Sequence, residues 1–286
     1  MAEQFPKTKI GNVEVPRMII GTNWILGYSH KSWATSVHIK EVNNSAQAVA
    51  SQFDTYLKYG INAVIGPMVG PLVSNGGDGL QSGGQANVIV EAAKIASEKW
   101  NTEMILIPTT NVNTDDTKEG RELAKQEIAA AAAIGAKICY ISFSSIDKLL
   151  DFEKRQIRRL DDYTYMVREA GMVPMIGNHN YQIIPLADAN GYDVEAYLTP
   201  YNSLGFYLQA EVEEIYRTIH NAKKPVMTIK AMAAGRLTPF VGLTFNYNTI
   251  REKDMVAIGA LTANEAQEDI DIAMAAIEHK PAKRLI

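Results

Sequence analysis

The sequence predicts a single eight-stranded β/α barrel of the TIM type, spanning residues 1–286. Three observations favour this fold. Short apolar, β-branched runs alternate with longer amphipathic stretches along the whole chain, as in a sheet whose strands are separated by helices. Four of the amphipathic stretches end in a glycine just before the next apolar run. The length of 286 residues is typical of the barrel and long for most other single domains.

Eight apolar runs are expected to form the strands, because a parallel strand covered on both faces is apolar at consecutive positions. They lie at residues 17–22, 61–66, 103–108, 137–142, 172–177, 194–199, 225–230 and 255–259. Helical patterns lie at 45–59, 84–100, 117–134, 146–170, 183–189, 209–222, 263–278 and, more weakly, 240–251. An open doubly wound sheet is the alternative, and it is disfavoured because no G-x-G-x-x-G turn follows the first strand.

Glycines mark the joints between helices and strands. Gly60, Gly135, Gly171 and Gly191 each follow a helical stretch and precede an apolar run. Glycine accepts the left-handed backbone conformation that commonly ends a helix. These positions therefore predict short helix-to-strand turns at one end of the barrel and leave the long polar loops to the other end.

Charge and cysteine content limit the classes of partner and compartment. With 28 basic and 32 acidic residues the net charge is −4, and the basic cluster at 154–159 is interleaved with acidic residues, which predicts no nucleic-acid partner. The sequence has no apolar run long enough to span a bilayer and no signal core, which predicts no membrane partner and a cytoplasmic location. The single cysteine, Cys139, lies in an apolar run and is expected to be a buried hydrophobic residue.

Polar residues at the carboxyl ends of the predicted strands indicate where a ligand binds. The long loops at 23–44, 67–83 and 109–116 converge on one face of a barrel. We expect a small-molecule ligand to contact Asn23, His30, Asn111, Asn178, Asn180, Tyr201 and Asn202. Amide, hydroxyl and imidazole groups suit a polyhydroxylated compound, whereas a glycosidase requires a pair of carboxylates.

Two residues are candidates for catalysis. Lys230 ends an otherwise apolar strand, where packing does not require a lysine, and His179 lies between two asparagines on a strand-end turn. A lysine in the mouth of a barrel can act as a base, a nucleophile or an anion anchor, and an imidazole suits proton transfer. The alternatives are a lysine that leads into solvent, with Ile229 as the inward residue, and a histidine bonded to the backbone.

The loops after the seventh and eighth strands form the usual phosphate-binding corner of a barrel. We expect an anion to contact Gly235, Arg236, Ala260 and Asn264; the alternative is that these residues form tight turns only. The histidines lack the spacing of a metal site, so no metal is expected, and the sequence leaves the cofactor unknown. The apolar segment 206–216 is compatible with a homo-oligomer interface or with the sixth helix.

The chain resembles the aldo-keto reductase superfamily. The segments that carry the resemblance, in order, are Gly60-Ile61-Asn62, Gly177 with Asn180, Pro200-Tyr201-Asn202, Gly235-Arg236-Leu237 and Ile258-Gly259-Ala260. They extend over about two thirds of the chain. The resemblance implies a barrel with its active site at the mouth, and it places this chain in an offshoot of that superfamily.

The same resemblance predicts that the reductase tetrad is missing. The positions of the family's Asp, Tyr, Lys and His correspond here to Ile65, about Gly70, the stretch 108–110, and Ser142 or Phe143. His179 and Leu198 also replace residues that usually lie beside the nicotinamide. A reductase without its tyrosine lacks the acid that protonates the carbonyl. The fold and the mouth are therefore expected to be shared, but not the mechanism.

The sequence thus predicts an enzyme that acts on a small polyhydroxylated carbonyl compound, with or without a phosphate group, through Lys230 and His179. An isomerase or lyase step and an atypical redox step both remain open. The alternative function is a noncatalytic sensor that binds a sugar phosphate or a nucleotide in the same mouth.

Overall fold

The computed structural model describes residues 3–69 and 86–283 of the chain. Its strands, in chain order, are β1 (Lys7–Ile10), β2 (Val13–Pro16), β3 (Met18–Gly21), β4 (Ala63–Gly66), β5 (Ile105–Thr110), β6 (Ile138–Ile141), β7 (Leu150–Asp151), β8 (Gln156–Ile157), β9 (Val173–Gly177), β10 (Ala196–Pro200), β11 (Val226–Ile229) and β12 (Met255–Ile258). Eight of these strands form a closed parallel barrel in the order β3-β4-β5-β6-β9-β10-β11-β12. The predicted (β/α)8 barrel and all eight of its strands are confirmed.

The helices lie between the strands. They are α1 (Asn23–Leu26), α2 (Trp33–Val42), α3 (Ala46–Leu57), α4 (Ala86–Trp100), α5 (Lys118–Ala133), α6 (Phe143–Leu149), α7 (Leu160–Glu169), α8 (Ile183–Asn190), α9 (Val212–Asn221), α10 (Pro239–Thr249) and α11 (Ala263–Glu278). The four glycines predicted to join helix to strand all have positive φ, between 67° and 81°. In the described part of the chain, no helix is long and apolar enough to cross a membrane.

The prediction of one continuous helix at 146–170 is wrong. The chain instead forms α6, the short antiparallel pair β7 and β8, and then α7. The Asp151 side chain accepts a hydrogen bond from the Lys154 backbone and Arg155 has a φ of 51°, so the chain turns back there. The loop predicted at 23–44 likewise contains α1 and α2. The predicted loop at 67–83 lies largely outside the described residues.

Two apolar layers hold the barrel together. The inward-facing residues of the strands, among them Ile107, Met175 and Met227, fill the interior, and the outward-facing residues pack under the helices. The hairpin β1–β2 contributes Ile10 and Val15 to the interior layer, and both are fully buried. This hairpin covers the amino-terminal end of the barrel and leaves the carboxyl ends of the strands as the open end.

Cys139 lies in the buried core and its thiol donates to the Thr110 hydroxyl. Burial raises the pKa of the Cys139 thiol to about 11. The predicted role as a buried hydrophobic residue is confirmed, since a thiol with this pKa is not ionised near neutral pH.

A buried carboxyl lies in helix α11, in the layer that packs against α3 and α10. Asp269 is 3% exposed. Burial, together with the charges of Glu265 and Glu268, raises the pKa of Asp269 well above its ordinary value. The folded chain therefore holds this proton more tightly than the unfolded chain does.

We predict that Asp269→Asn stabilises the protein at neutral and alkaline pH. A carboxyl whose pKa is raised by folding contributes stability below its unfolded pKa of about 4, and loses that contribution as the pH rises toward the folded pKa. Asparagine resembles the protonated carboxyl and avoids the loss, worth about 1.4 kcal/mol per unit of raised pKa. Thermal unfolding at pH 4 and pH 8 checks this: the variant should gain more at pH 8. Glu122→Gln, at an exposed glutamate on α5, is the control, and an equal gain in both variants would contradict the prediction.

Candidate active site at the mouth of the barrel

His179 lies on a rigid turn directly after β9. The side chain of Asn178 accepts a hydrogen bond from the Asn180 backbone and donates to the carboxylate of Asp147, at 2.8 and 2.6 Å. Asn180 in turn accepts from the backbone of Gln182. Asn178 is buried. These two asparagines, predicted to bind ligand, thus have bonds that fix the turn and present His179 to the mouth.

The imidazole of His179 is enclosed between two aromatic rings. Its ring centre lies 5.0 Å from that of Phe143 and 5.5 Å from that of Tyr207. Burial, and then the charges of Lys230 and His30, lower the pKa of His179 to about 4. The imidazole is therefore neutral near pH 7, with one nitrogen free to accept a proton and the other carrying one.

Lys230 contacts the Tyr207 ring, which also lies beside His179, from the loop after β11. Ile229 packs against the interior layer of the barrel and is the inward residue of β11. Lys230, which follows it, has a φ of 61°, and its Nζ lies 4.4 Å from the centre of the Tyr207 ring. The influence of the Lys230 charge on His179 is consistent with an ammonium beside the imidazole. The structure therefore brings the two predicted catalytic residues together.

The loop after β10 supplies the ring that both residues contact. Asn202 is fully buried, and its side chain both accepts from the Phe206 N–H and donates to the Phe206 carbonyl, each at 2.9 Å. This pair of bonds clamps the loop that carries Phe206 and Tyr207, and the expectation that Asn202 contacts a ligand stays a prediction. The two rings pack edge to face at 4.7 Å.

Tyr201 does not line the mouth. Its side chain is buried in the outer layer, with its ring 5.0 Å from that of Phe245 in α10. Burial raises the pKa of Tyr201, while a hydrogen bond with Thr249 lowers it. The alternation of side chains along β10 turns Tyr201 toward the helices, and the expectation that it binds a ligand stays a prediction.

Asn23, His30 and Asn111 occupy the rim of the mouth. Asn23 Nδ2 lies 3.4 Å from His30 Nε2, and the His30 ring centre lies 5.7 Å from that of Tyr207. The side-chain oxygen Oδ1 of Asn111 accepts hydrogen bonds from the hydroxyls of Ser142 and Ser144. Asn23 and His30 therefore adjoin the site, and Asn111 ties the loop after β5 to the loop after β6.

Side chains of the protein itself lie at the predicted phosphate corner, where the binding of an anion stays a prediction. A Cβ on Gly235 would lie 3.7 Å from the ring of Trp24, so the indole covers this turn. At the start of α11, the carboxylate of Glu265 already accepts from the Leu261 backbone at 2.6 Å. A carboxylate at a helix N-terminus occupies the position that an anionic ligand would take.

Arg236 and the remaining corner residues are separated. The Arg236 guanidinium donates to the carbonyl oxygens of Ala233 and His30 and lies 4.2 Å from the centre of the Phe206 ring. Ala260 is buried and Asn264 is exposed in the first turn of α11. Arg236 therefore joins the aromatic side of the mouth rather than the start of α11.

Three aromatic residues of the site were not predicted from the sequence. Phe143, Phe206 and Tyr207 each follow the carboxyl end of a barrel strand, the position that should have drawn attention to them. An apolar residue in a loop has the same appearance in a sequence whether it packs in the core, forms an interface or lines a site. Among the described residues, no group of three or more His, Cys, Asp or Glu side chains is placed to hold a metal ion.

Solved structures with the same fold include three that cover nearly all of this chain. A proposed aldo-keto reductase from Pseudomonas aeruginosa has a TM-score of 0.63 at 8% identity, covering 96% of this chain and 97% of its own. Aldose reductase from Giardia lamblia has a TM-score of 0.51 at 10% identity, covering 100% and 95%. A xylose isomerase domain containing protein from Salmonella typhimurium has a TM-score of 0.50 at 10% identity, covering 92% and 97%.

These similarities establish the fold alone, because one fold carries many unrelated functions. No protein-family model matches the sequence, and no curated protein is significantly similar to it. The function has to be argued from the residues of the mouth.

We predict that His179 titrates far below an ordinary histidine. With the imidazole resonances assigned by NMR, the pKa of His179 should be about 4. In Lys230→Met the pKa should rise, because a neighbouring positive charge that disfavours the imidazolium has been removed. A pKa for His179 that is the same in both proteins would show that the Lys230 ammonium lies elsewhere.

Proposed function

We propose that this chain is an enzyme that transfers a proton at the carbon next to the carbonyl of a small polyhydroxylated compound. The observation that carries the proposal is the pairing of a neutral imidazole, His179, with the ammonium of Lys230 against the Tyr207 ring at the open end of the barrel. Proton abstraction beside a carbonyl needs a base for the proton and a positive group for the oxygen that becomes negative.

In the proposed step, the C–H bond beside the carbonyl breaks and its proton passes to the unprotonated nitrogen of His179. The electron pair forms a new carbon–carbon double bond, and the carbonyl oxygen becomes an enolate oxygen that pairs with the Lys230 ammonium. Where the deprotonated carbon carries a hydroxyl, the hydroxyl proton passes to the enolate oxygen, the hydroxyl carbon becomes the new carbonyl and His179 returns its proton to the former carbonyl carbon, which gives an isomer of the substrate. Return of the proton to the original carbon gives exchange alone. No electron is gained or lost overall.

The charge of Lys230 also adjusts the basicity of His179 during the proposed reaction. It is one cause of the low pKa of His179. When negative charge develops on the substrate oxygen beside the ammonium, the repulsion between Lys230 and the imidazolium is offset. The imidazole thus becomes more basic as the transition state forms, an interaction that favours the transition state over the ground state.

Polar groups at the rim support a hydroxylated substrate. Asn23 and His30 lie on the loop after β3, and Ser144 lies with Asn111 between the loops after β5 and β6. Amides, hydroxyls and an imidazole exchange hydrogen bonds with substrate hydroxyls as readily as with water. A phosphate on the substrate would meet Arg236 on the Phe206 ring rather than the start of α11.

Deuterium exchange tests the proposal. The protein is incubated in D2O with a panel of aldoses, ketoses and their terminal phosphates, and NMR follows the loss of the proton next to the carbonyl. We expect catalysed exchange on at least one compound, lowered by roughly 10²-fold or more in His179→Gln, as is typical when a general base is removed. Lys230→Met should lower exchange as well, because the enolate oxygen loses its positive partner.

His38→Gln is the matched control, because His38 is an exposed histidine on α2 with Glu41 as its neighbour. Full exchange in His179→Gln would rule out His179 as the base. Saturable binding without exchange on any compound would instead favour the noncatalytic sensor. Borohydride that traps a substrate adduct on Lys230 would replace the enolate mechanism by a Schiff-base mechanism.

The pH dependence of the exchange gives a separate prediction. Since the pKa of His179 is about 4, the base is unprotonated throughout the neutral range. We expect kcat/KM to be constant between pH 6 and 8 on this account, and to fall on the acid side only as the pH approaches about 4. An acid limb near pH 6.5 in the wild type would mean that an ordinary histidine, and not this one, acts as the base.

A further inference from the structure

We propose that Tyr207 is the positioning residue of this site: its ring holds the Lys230 ammonium and shields the His179 imidazole from water. This inference rests on the proposed function for its kinetic part only. The ring of Tyr207 is the one feature that Lys230, His179 and His30 share among the ring and cation contacts of the described residues.

The backbone conformation of the loop after β10 places the Tyr207 ring. Tyr207 has a φ of 59° and Gly205 a φ of 75°. A left-handed conformation is unfavourable for a residue with a side chain. Such strain persists only where the surroundings impose it, and it is concentrated at functional sites. Here the surroundings are the two bonds from Asn202 to the backbone of Phe206, the residue before Tyr207.

Lys230 has the same unusual backbone on its own side of the contact. With a φ of 61°, it departs from the alternation that places Ile229 inward, and its ammonium lies over the Tyr207 ring at 4.4 Å. Two strained residues with side chains, from neighbouring loops, therefore meet at one cation–ring contact. The face of an aromatic ring attracts an ammonium, so the contact fixes where the positive charge stands.

The same ring controls the environment of His179. Tyr207 is 45% exposed, so it has one side toward solvent and the other toward the imidazole, 5.5 Å away between ring centres. Phe143 covers the imidazole at 5.0 Å. Two charged or titratable groups, Lys230 and His30, influence His179, and both contact Tyr207. Removal of the ring would admit water to His179 and release the cation beside it.

Two variants separate the ring from its hydroxyl. Tyr207→Phe keeps the ring and should leave kcat, KM and the pKa of His179 close to those of the wild type. Tyr207→Leu keeps apolar volume without the ring face and should lower kcat about tenfold, with a smaller change in KM, as expected for the loss of a cation–ring contact. It should also raise the pKa of His179 in the NMR titration, because burial is the largest cause of its low value.

The matched control is Tyr165→Leu, since Tyr165 is an exposed tyrosine on α7. Circular dichroism and thermal unfolding confirm that each variant is folded before it is assayed. A loss of kcat in Tyr207→Phe equal to that in Tyr207→Leu would overturn the inference, because the hydroxyl would then be the active group. An unchanged pKa of His179 in Tyr207→Leu would overturn it as well. The titration needs no substrate, so it decides the role of Tyr207 even where the proposed reaction is not found.

Discussion

The alternation of side chains along the barrel strands is the constraint on which the rest of this structure depends. Every second residue of a strand faces the interior, and that interior is filled by apolar side chains such as Met175 and Met227 and closed below by the hairpin β1–β2. A polar group can approach the barrel axis only above the last inward residue. On β11 that residue is Ile229, so a regular continuation would turn Lys230 toward the helices.

The left-handed backbone at Lys230 directs its side chain to the mouth instead, at a cost in conformational free energy. Its counterpart, Tyr207, carries a similar cost, and each is about 1–2 kcal/mol. Offsetting contributions come from the contact between the ammonium and the ring, about 0.5–2 kcal/mol, and from the buried clamp that Asn202 forms on Phe206. The unfavourable backbone of Tyr207 and the clamp that offsets it lie in the same loop. The clamp belongs to the buried part of this loop, and Tyr207 extends from that part to the rim of the mouth.

Much of this architecture could be predicted from the sequence, because it follows from local patterns. Continuous apolar runs and glycines at helix ends act over a few residues, so the eight strands and their joints were correct. Lys230 and His179 could be singled out because packing does not explain a charged or polar group at those positions. The hairpin at 150–157 was missed because its charged residues continue an amphipathic pattern, and only the turn at Asp151 interrupts it.

The directions of the side chains at the site could not be predicted from the sequence. A sequence shows that Tyr201 and Asn202 follow a strand, but their positions relative to the barrel wall decide that one packs under α10 and the other clamps a loop. The directions of Phe143, Phe206 and Tyr207 likewise depend on their positions relative to the barrel wall. Tyr207 becomes part of the site only through a positive φ, which no residue pattern around it requires.

The way the cations are held explains why the mouth suits a developing negative charge. The face of an aromatic ring attracts a cation and leaves it charged. Lys230 lies on Tyr207 and Arg236 on Phe206, while Glu265 neutralises the start of α11 instead. The two cations of the loop after β11 thus lie on the aromatic side of the mouth, where Tyr207 also adjoins His179. An oxygen that becomes an anion there gains more than a neutral carbonyl does, and that difference, rather than binding as such, accelerates a reaction.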